Sequence, residues 1–154
     1  MPLQLDLGPT RRRRPTVLLV DDEASVRTLF AAVLRAADHE VVEAPDGARA
    51  LDVLRARQGA IDLVVLDWRM PVMDGPTFCK ACRQLRPEQR VPILVICTEP
   101  DEVDRAGGMI HAVVGKPVSM SDLLEHVRRF LEDEIGPIGP HEQVWPSRPR
   151  PAAS

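Results

Sequence analysis

Residues 64–75 read VVLDWRMPVMDG. An apolar run that begins at Leu63 stops abruptly at the carboxylate Asp67, and a stretch punctuated by Pro71 and Gly75 follows. Four apolar residues in succession are too few for a buried helix and suit a strand covered on both faces. Strands of that kind belong to parallel sheets, whose crossover helices lie against both faces. The flanking sequence should therefore alternate strands with helices.

It does. Val17-Leu18-Leu19-Val20 is another short apolar run. Residues 24–37 then carry Val26, Leu29, Phe30, Val33 and Leu34 at i, i+3, i+4, i+7 and i+8, the stripe of an amphipathic helix. The pattern predicts a strand at 40–44, a turn at Pro45-Asp46-Gly47, a helix at 48–57 and a strand at 61–66. Beyond the opening stretch it predicts a helix at 75–85 and strands at 91–97 and 111–114. A last helix, capped by Ser119, runs to about 132 with Leu123, Leu124, Val127 and Leu131 on one face. The expected fold is α/β, a single doubly wound five-stranded parallel sheet with helices on both faces. The bridge EPDEVDRAGGMI, residues 99–110, leaves room for little helix, because Pro100, Gly107 and Gly108 remove it from both ends. At most 101–106 can be helical, with Val103 its one apolar anchor, so the helix between strands 4 and 5 is expected to be shortened or missing and the segment mobile.

With 154 residues and 44% apolar content, the chain can bury one core, assigned to a domain over 15–135. Residues 1–14, with arginine at 11–14, are expected to form a basic flexible arm, and 136–154 a Pro-rich tail with no output domain. A net charge of −3 gives no reason to expect nucleic acid or a membrane surface as partner. No apolar stretch nears the roughly 18 residues of a membrane span, and no signal peptide is visible, which points to the cytoplasm. Three cysteines do not make a disulfide framework, and Cys79 and Cys82, a lone CxxC, read as small residues on a helix.

In open α/β sheets the functional crevice lies beyond the carboxyl ends of the strands. There the sequence places Asp21-Asp22-Glu23, then Asp67, Thr98 and Lys116-Pro117. Two carboxylates about 4 Å apart repel by roughly 4 kcal/mol at an effective dielectric near 20, so three in one pocket call for a divalent cation. An oxygen-only donor set suits Mg²⁺. A carboxylate beside such a metal is a competent nucleophile toward phosphorus, and the metal, a hydroxyl and an ammonium can hold the three phosphoryl oxygens. The chain has 18 Arg and only two Lys, yet position 116 keeps the compact ammonium that suits a crowded pocket.

The segments VLLVDDE, LVVLDWRMPVMDG, ILVICT and GKP, in that order, resemble the receiver domain of bacterial two-component response regulators of the stand-alone, chemotaxis-regulator-like kind, over about residues 16–134. The resemblance implies a flavodoxin-like sheet and Asp67 as phosphoacceptor. It implies that Asp22 and Asp67 ligate Mg²⁺, with Mn²⁺ able to substitute, that Asp21 acts through a metal-bound water, and that Arg69 offers its backbone carbonyl. Thr98 would be the switch hydroxyl, Lys116 would contact Asp67 and later the phosphoryl group, and Lys116-Pro117 would be cis. The implied partners are a sensor histidine kinase or histidine phosphotransfer protein and an unknown downstream protein, with the chain a monomer or weak dimer.

The sequence departs from the family pattern in three places. Val113 stands where an aromatic usually precedes the lysine by three, Glu99 replaces a small residue after the hydroxyl, and the segment between Thr98 and Lys116 is about one helical turn short. A haloacid-dehalogenase-type enzyme would need an acid two residues after Asp67, where Arg69 stands, and a Rossmann binder would need glycines after the first strand. A degenerate docking receiver would not need Asp21, Asp22, Asp67, Thr98 and Lys116 intact.

Overall fold

The computed structural model describes residues 13–57, 59–86, 90–106 and 110–132. The expected arm and tail therefore fall outside the described residues, except Arg13 and Arg14. Those two turn back onto the domain: the Arg13 guanidinium donates to both carboxylate oxygens of Asp62 at 3.0 and 3.1 Å and to the Ala60 carbonyl, and Arg14 pairs with Asp38 at 3.1 Å.

Five strands, β1 (Thr16–Val20), β2 (Glu40–Ala44), β3 (Leu63–Asp67), β4 (Ile93–Cys97) and β5 (Ile110–Gly115), form one parallel sheet in the order β2-β1-β3-β4-β5. The three central strands are buried at every residue, which is why their sequences are unbroken apolar runs, while the edge strands β2 and β5 mix exposed and covered positions. Helices α1 (Ala24–Ala36) and α4 (Met120–Glu132) cover one face, with Phe30, Leu34, Leu123 and Val127 against Val17, Leu19, Val65 and Ile96. Helices α2 (Gly47–Ala56) and α3 (Gly75–Cys82) cover the other, with Leu51, Leu54 and Phe78 against Leu18, Val20, Val64 and Leu66. The doubly wound five-stranded sheet is as the sequence predicts.

Several boundaries differ from the expected ones. The third strand starts at Leu63 rather than 61, and Asp62 just before it is tied to β1: its N–H donates to the Thr16 carbonyl at 2.9 Å, and its carboxylate accepts the Thr16 N–H at 2.8 Å as well as the Arg13 guanidinium. The fourth starts at Ile93 because Pro92 has no N–H to give, although its carbonyl accepts from Val64 at 2.9 Å. A register irregularity between Ile93 and Leu94 extends β5 to Ile110 and lets His111 Nδ1 accept the Ile93 N–H at 3.3 Å. Helix α3 ends at Cys82, three residues early, yet Leu85 remains buried. The Cys79 and Cys82 thiols face the core, and burial pushes both up to about 12, so they stay protonated packing groups.

Between β4 and β5 a 3₁₀ helix spans Pro100–Ala106, so the helix there is shortened as expected. Its anchor is stronger than one valine suggested: Val103 is 1% exposed and joins the core of the α2/α3 face.

Candidate functional site

Strand register builds the site. Val20 pairs with Leu66, so Asp21 and Asp67 occupy the next rung at the carboxyl ends of β1 and β3. Cys97 pairs with Gly115, so Thr98 and Lys116 both leave the sheet one residue later, and the Lys116 N–H donates to the Cys97 carbonyl at 2.7 Å. The Lys116–Pro117 peptide bond is cis. A carboxylate oxygen from each of Asp21, Asp22 and Asp67 lies within 4.8 Å of the others. Lys116 Nζ donates to Asp67 Oδ1 at 3.0 Å.

Although Asp67 stands at a strand end, it is not open to solvent. It is 6% exposed and Asp21 5%, whereas Asp22 and Thr98 are exposed. Burial raises the Asp67 carboxyl from 3.8 to about 6, although the Lys116 ammonium pulls the other way. Burial likewise raises Asp21, against the lowering effect of the Glu23 N–H that donates to its Oδ1 at 2.9 Å. Burial thus makes the ionised forms of Asp67 and Asp21 costly, and a positive charge held among the three carboxylates would offset that cost. The all-oxygen donor set, its closeness and its desolvation fit a small hard divalent cation.

The loop after β3 is fixed by close packing. The Gly75 N–H donates to the Trp68 carbonyl at 2.8 Å, and a Cβ on Gly75 would stand 2.2 Å from the Trp68 ring. Trp68 itself is buried, so the ring has little freedom to yield. Asp74 caps α3 by accepting the Thr77 N–H at 2.9 Å, while exposed Val72 holds a left-handed φ of 68° that a β-branched residue seldom adopts. Gly75→Ala is therefore expected to destabilise the fold by about 1–3 kcal/mol through overpacking, read as a lowered denaturant midpoint at unchanged slope. An unchanged midpoint would mean that the Trp68 ring moves freely.

Two participants escaped the sequence reading. Arg27 donates to the Asp21 carbonyl at 2.7 Å and lies 3.6 Å from Glu43, pinning the β1–α1 turn to the edge strand. Glu102 takes the Arg69 side chain, whose Nη2 donates to both of its carboxylate oxygens at 2.9 Å and approaches Glu99 Oε2 at 3.5 Å. Helical periodicity could not reveal either pairing, since each joins charged residues across elements.

Among the described residues no helix is long and apolar enough to cross a membrane. The family model for the response regulator receiver domain matches residues 17–128. The probable transcriptional regulator ycf27 of Porphyridium aerugineum is 33% identical over 122 residues, covering 77% of this chain and 49% of that protein. The chain thus spans about half the length of the curated relatives of this kind. The solved chemotaxis response regulator CheY4 of Vibrio cholerae is 33% identical with a TM-score of 0.66, over 77% of this chain and 99% of that one. The receiver domain of sensor histidine kinase PA1611 from Pseudomonas aeruginosa PAO1, solved with a magnesium ion coordinated in its active-site cleft, is 26% identical with a TM-score of 0.68, over 78% and 99% of the two chains.

Proposed function

The chain belongs to the response regulator receiver family, and we propose that its Asp67 accepts a phosphoryl group in a two-component phosphorelay. The observation that carries this reading is the 3.0 Å contact between Lys116 and Asp67 at the end of β3, with Asp21 and Asp22 gathered beside it. Receiver domains are phosphoacceptor signalling modules rather than turnover enzymes, so the chemistry required is one transfer and its reversal.

Asp22 and Asp67 would hold Mg²⁺ by their carboxylates, Asp21 through a bound water and Arg69 by its backbone carbonyl; Mn²⁺ would substitute. The cation supplies charge neutralisation for the incoming phosphoryl oxygens. A carboxylate oxygen of Asp67 attacks phosphorus, the bond from phosphorus to the donor breaks, and its electron pair leaves with the donor. Lys116, already at Asp67, moves its ammonium to a phosphoryl oxygen, and the Thr98 hydroxyl donates to another. The donor is a sensor histidine kinase or a histidine phosphotransfer protein. The signal leaves by protein contact or onward phosphotransfer from a cytoplasmic monomer or weak dimer.

Incubation with acetyl phosphate tests the reading. Intact-mass measurement should show one added phosphate with Mg²⁺ or Mn²⁺ and none with a chelator. Equal labelling without a divalent cation would remove the metal from the scheme, and no labelling with it would remove the phosphoacceptor.

A further inference from the structure

The scheme above leaves the Arg69 side chain without a role. Its position is nonetheless particular: it starts two residues after Asp67, on the loop beyond β3, and ends on Glu102 in the 3₁₀ helix beyond β4. Glu99, the residue after Thr98, stands at 3.5 Å from the same nitrogen. One guanidinium thus ties the phosphoacceptor loop to the segment that begins at Thr98.

We infer that the Arg69 side chain is a charge-operated latch on the 3₁₀ helix, closed on Glu102 while Asp67 is unmodified and drawn away when Asp67 carries a phosphoryl group. The inference rests on the phosphoacceptor reading. Phosphorylation replaces a single carboxylate charge at most with a group bearing roughly −1.5 to −2 and three strong acceptor oxygens. That group arises at the start of the loop from which Arg69 projects, and planar guanidinium is well matched to phosphoryl oxygens. The existing pair is exposed, Arg69 at 67% and Glu102 at 41%, and exposed pairs are weak enough to be exchanged for a better acceptor. A buried pair would not yield so easily.

The segment it restrains is correspondingly slight. Val103 enters the core, and the Glu102 N–H donates to the Glu99 carbonyl at 3.1 Å within the same turn. Arg69 also stands between the like charges of Glu99 and Glu102, at 3.5 and 2.9 Å from one oxygen of each. The latch offers a route from Asp67 to the surface that needs no rotating aromatic ring, and position 113 on β5 carries a valine.

Hydrogen exchange and intact mass on the same full-chain samples test it. With excess acetyl phosphate and Mg²⁺, the mass should gain one phosphate and the Glu102 amide should exchange about fivefold faster, the factor set by losing an exposed ion pair. Arg69→Ala and Glu102→Gln should exchange at the faster rate before any labelling, and Arg69→Lys should restore the slow one. A labelled protein with unchanged exchange at Glu102 would overturn the latch and leave the phosphoacceptor standing. Slow exchange in both unlabelled variants would overturn it equally, and a protein that takes no label at all would overturn both readings.

Discussion

Asp67→Asn is expected to take up no phosphate under conditions that fully label the unsubstituted protein, with the labelling rate down by at least about 10³-fold, as removal of a nucleophile commonly costs. The carboxamide keeps the shape of the side chain and can still lie near Lys116, so the fold has no reason to change. What disappears is the anionic oxygen that attacks phosphorus. Asp22→Asn should behave differently. It keeps the nucleophile 6% exposed at the end of β3 and removes one exposed carboxylate from the cation site, so labelling should weaken in a way that higher Mg²⁺ concentrations restore by mass action. Phosphate on Asp67→Asn, found by intact mass and located by peptide mapping, would transfer the acceptor role to another residue. An Asp22→Asn protein indifferent to Mg²⁺ concentration would place the cation elsewhere.

The parts of this molecule that the sequence makes readable are those governed by local patterning. Leu63 to Leu66, Val17 to Val20 and Ile93 to Ile96 are central strands buried on both faces, and an unbroken apolar run is the direct consequence of that environment. Because a parallel sheet sends all its strand ends to one rim, finding those three runs also locates Asp21, Asp67 and Thr98. Other features depend on partners far along the chain. The Asp62 carboxylate is taken by Arg13 and the Thr16 N–H, 49 and 46 residues away. Arg69 meets Glu102 across 33 residues. Val103 looked too small an anchor because its value depends on the core it enters, not on its neighbours in sequence. The burial of Asp67 escaped notice for a related reason: a strand-end acid is ordinarily solvated, and only the assembled rim removes water from it.

That burial makes a stability prediction with a definite sign. Asp67 holds its proton more tightly in the folded protein, up to about 6 against 3.8, because loss of water around the carboxylate outweighs the attraction of Lys116. Asp21 shifts in the same direction for the same main reason. A group raised in this way contributes stability that is complete below about pH 3.8 and is lost as pH climbs through about 6. At about 1.4 kcal/mol per pKa unit, Asp67 accounts for no more than about 3 kcal/mol of that loss. Without a divalent cation, Asp67→Asn should therefore match the unsubstituted protein near pH 4 and exceed it by about 1–3 kcal/mol at pH 7.5. Asp74, held low by the Thr77 hydroxyl and N–H, titrates below this range and is the same in the two proteins, so it cancels in their difference. Mg²⁺ should stabilise the unsubstituted protein at pH 7.5 and have little effect near pH 4, since it binds the ionised acids. Denaturant unfolding at the two pH values, with chelator and with Mg²⁺, measures each arm. If the unsubstituted protein proves the more stable of the two at pH 7.5 in chelator, the Lys116 contact outweighs burial, Asp67 is a settled ion pair at rest, and a cation would have to displace that lysine before phosphorus could be attacked.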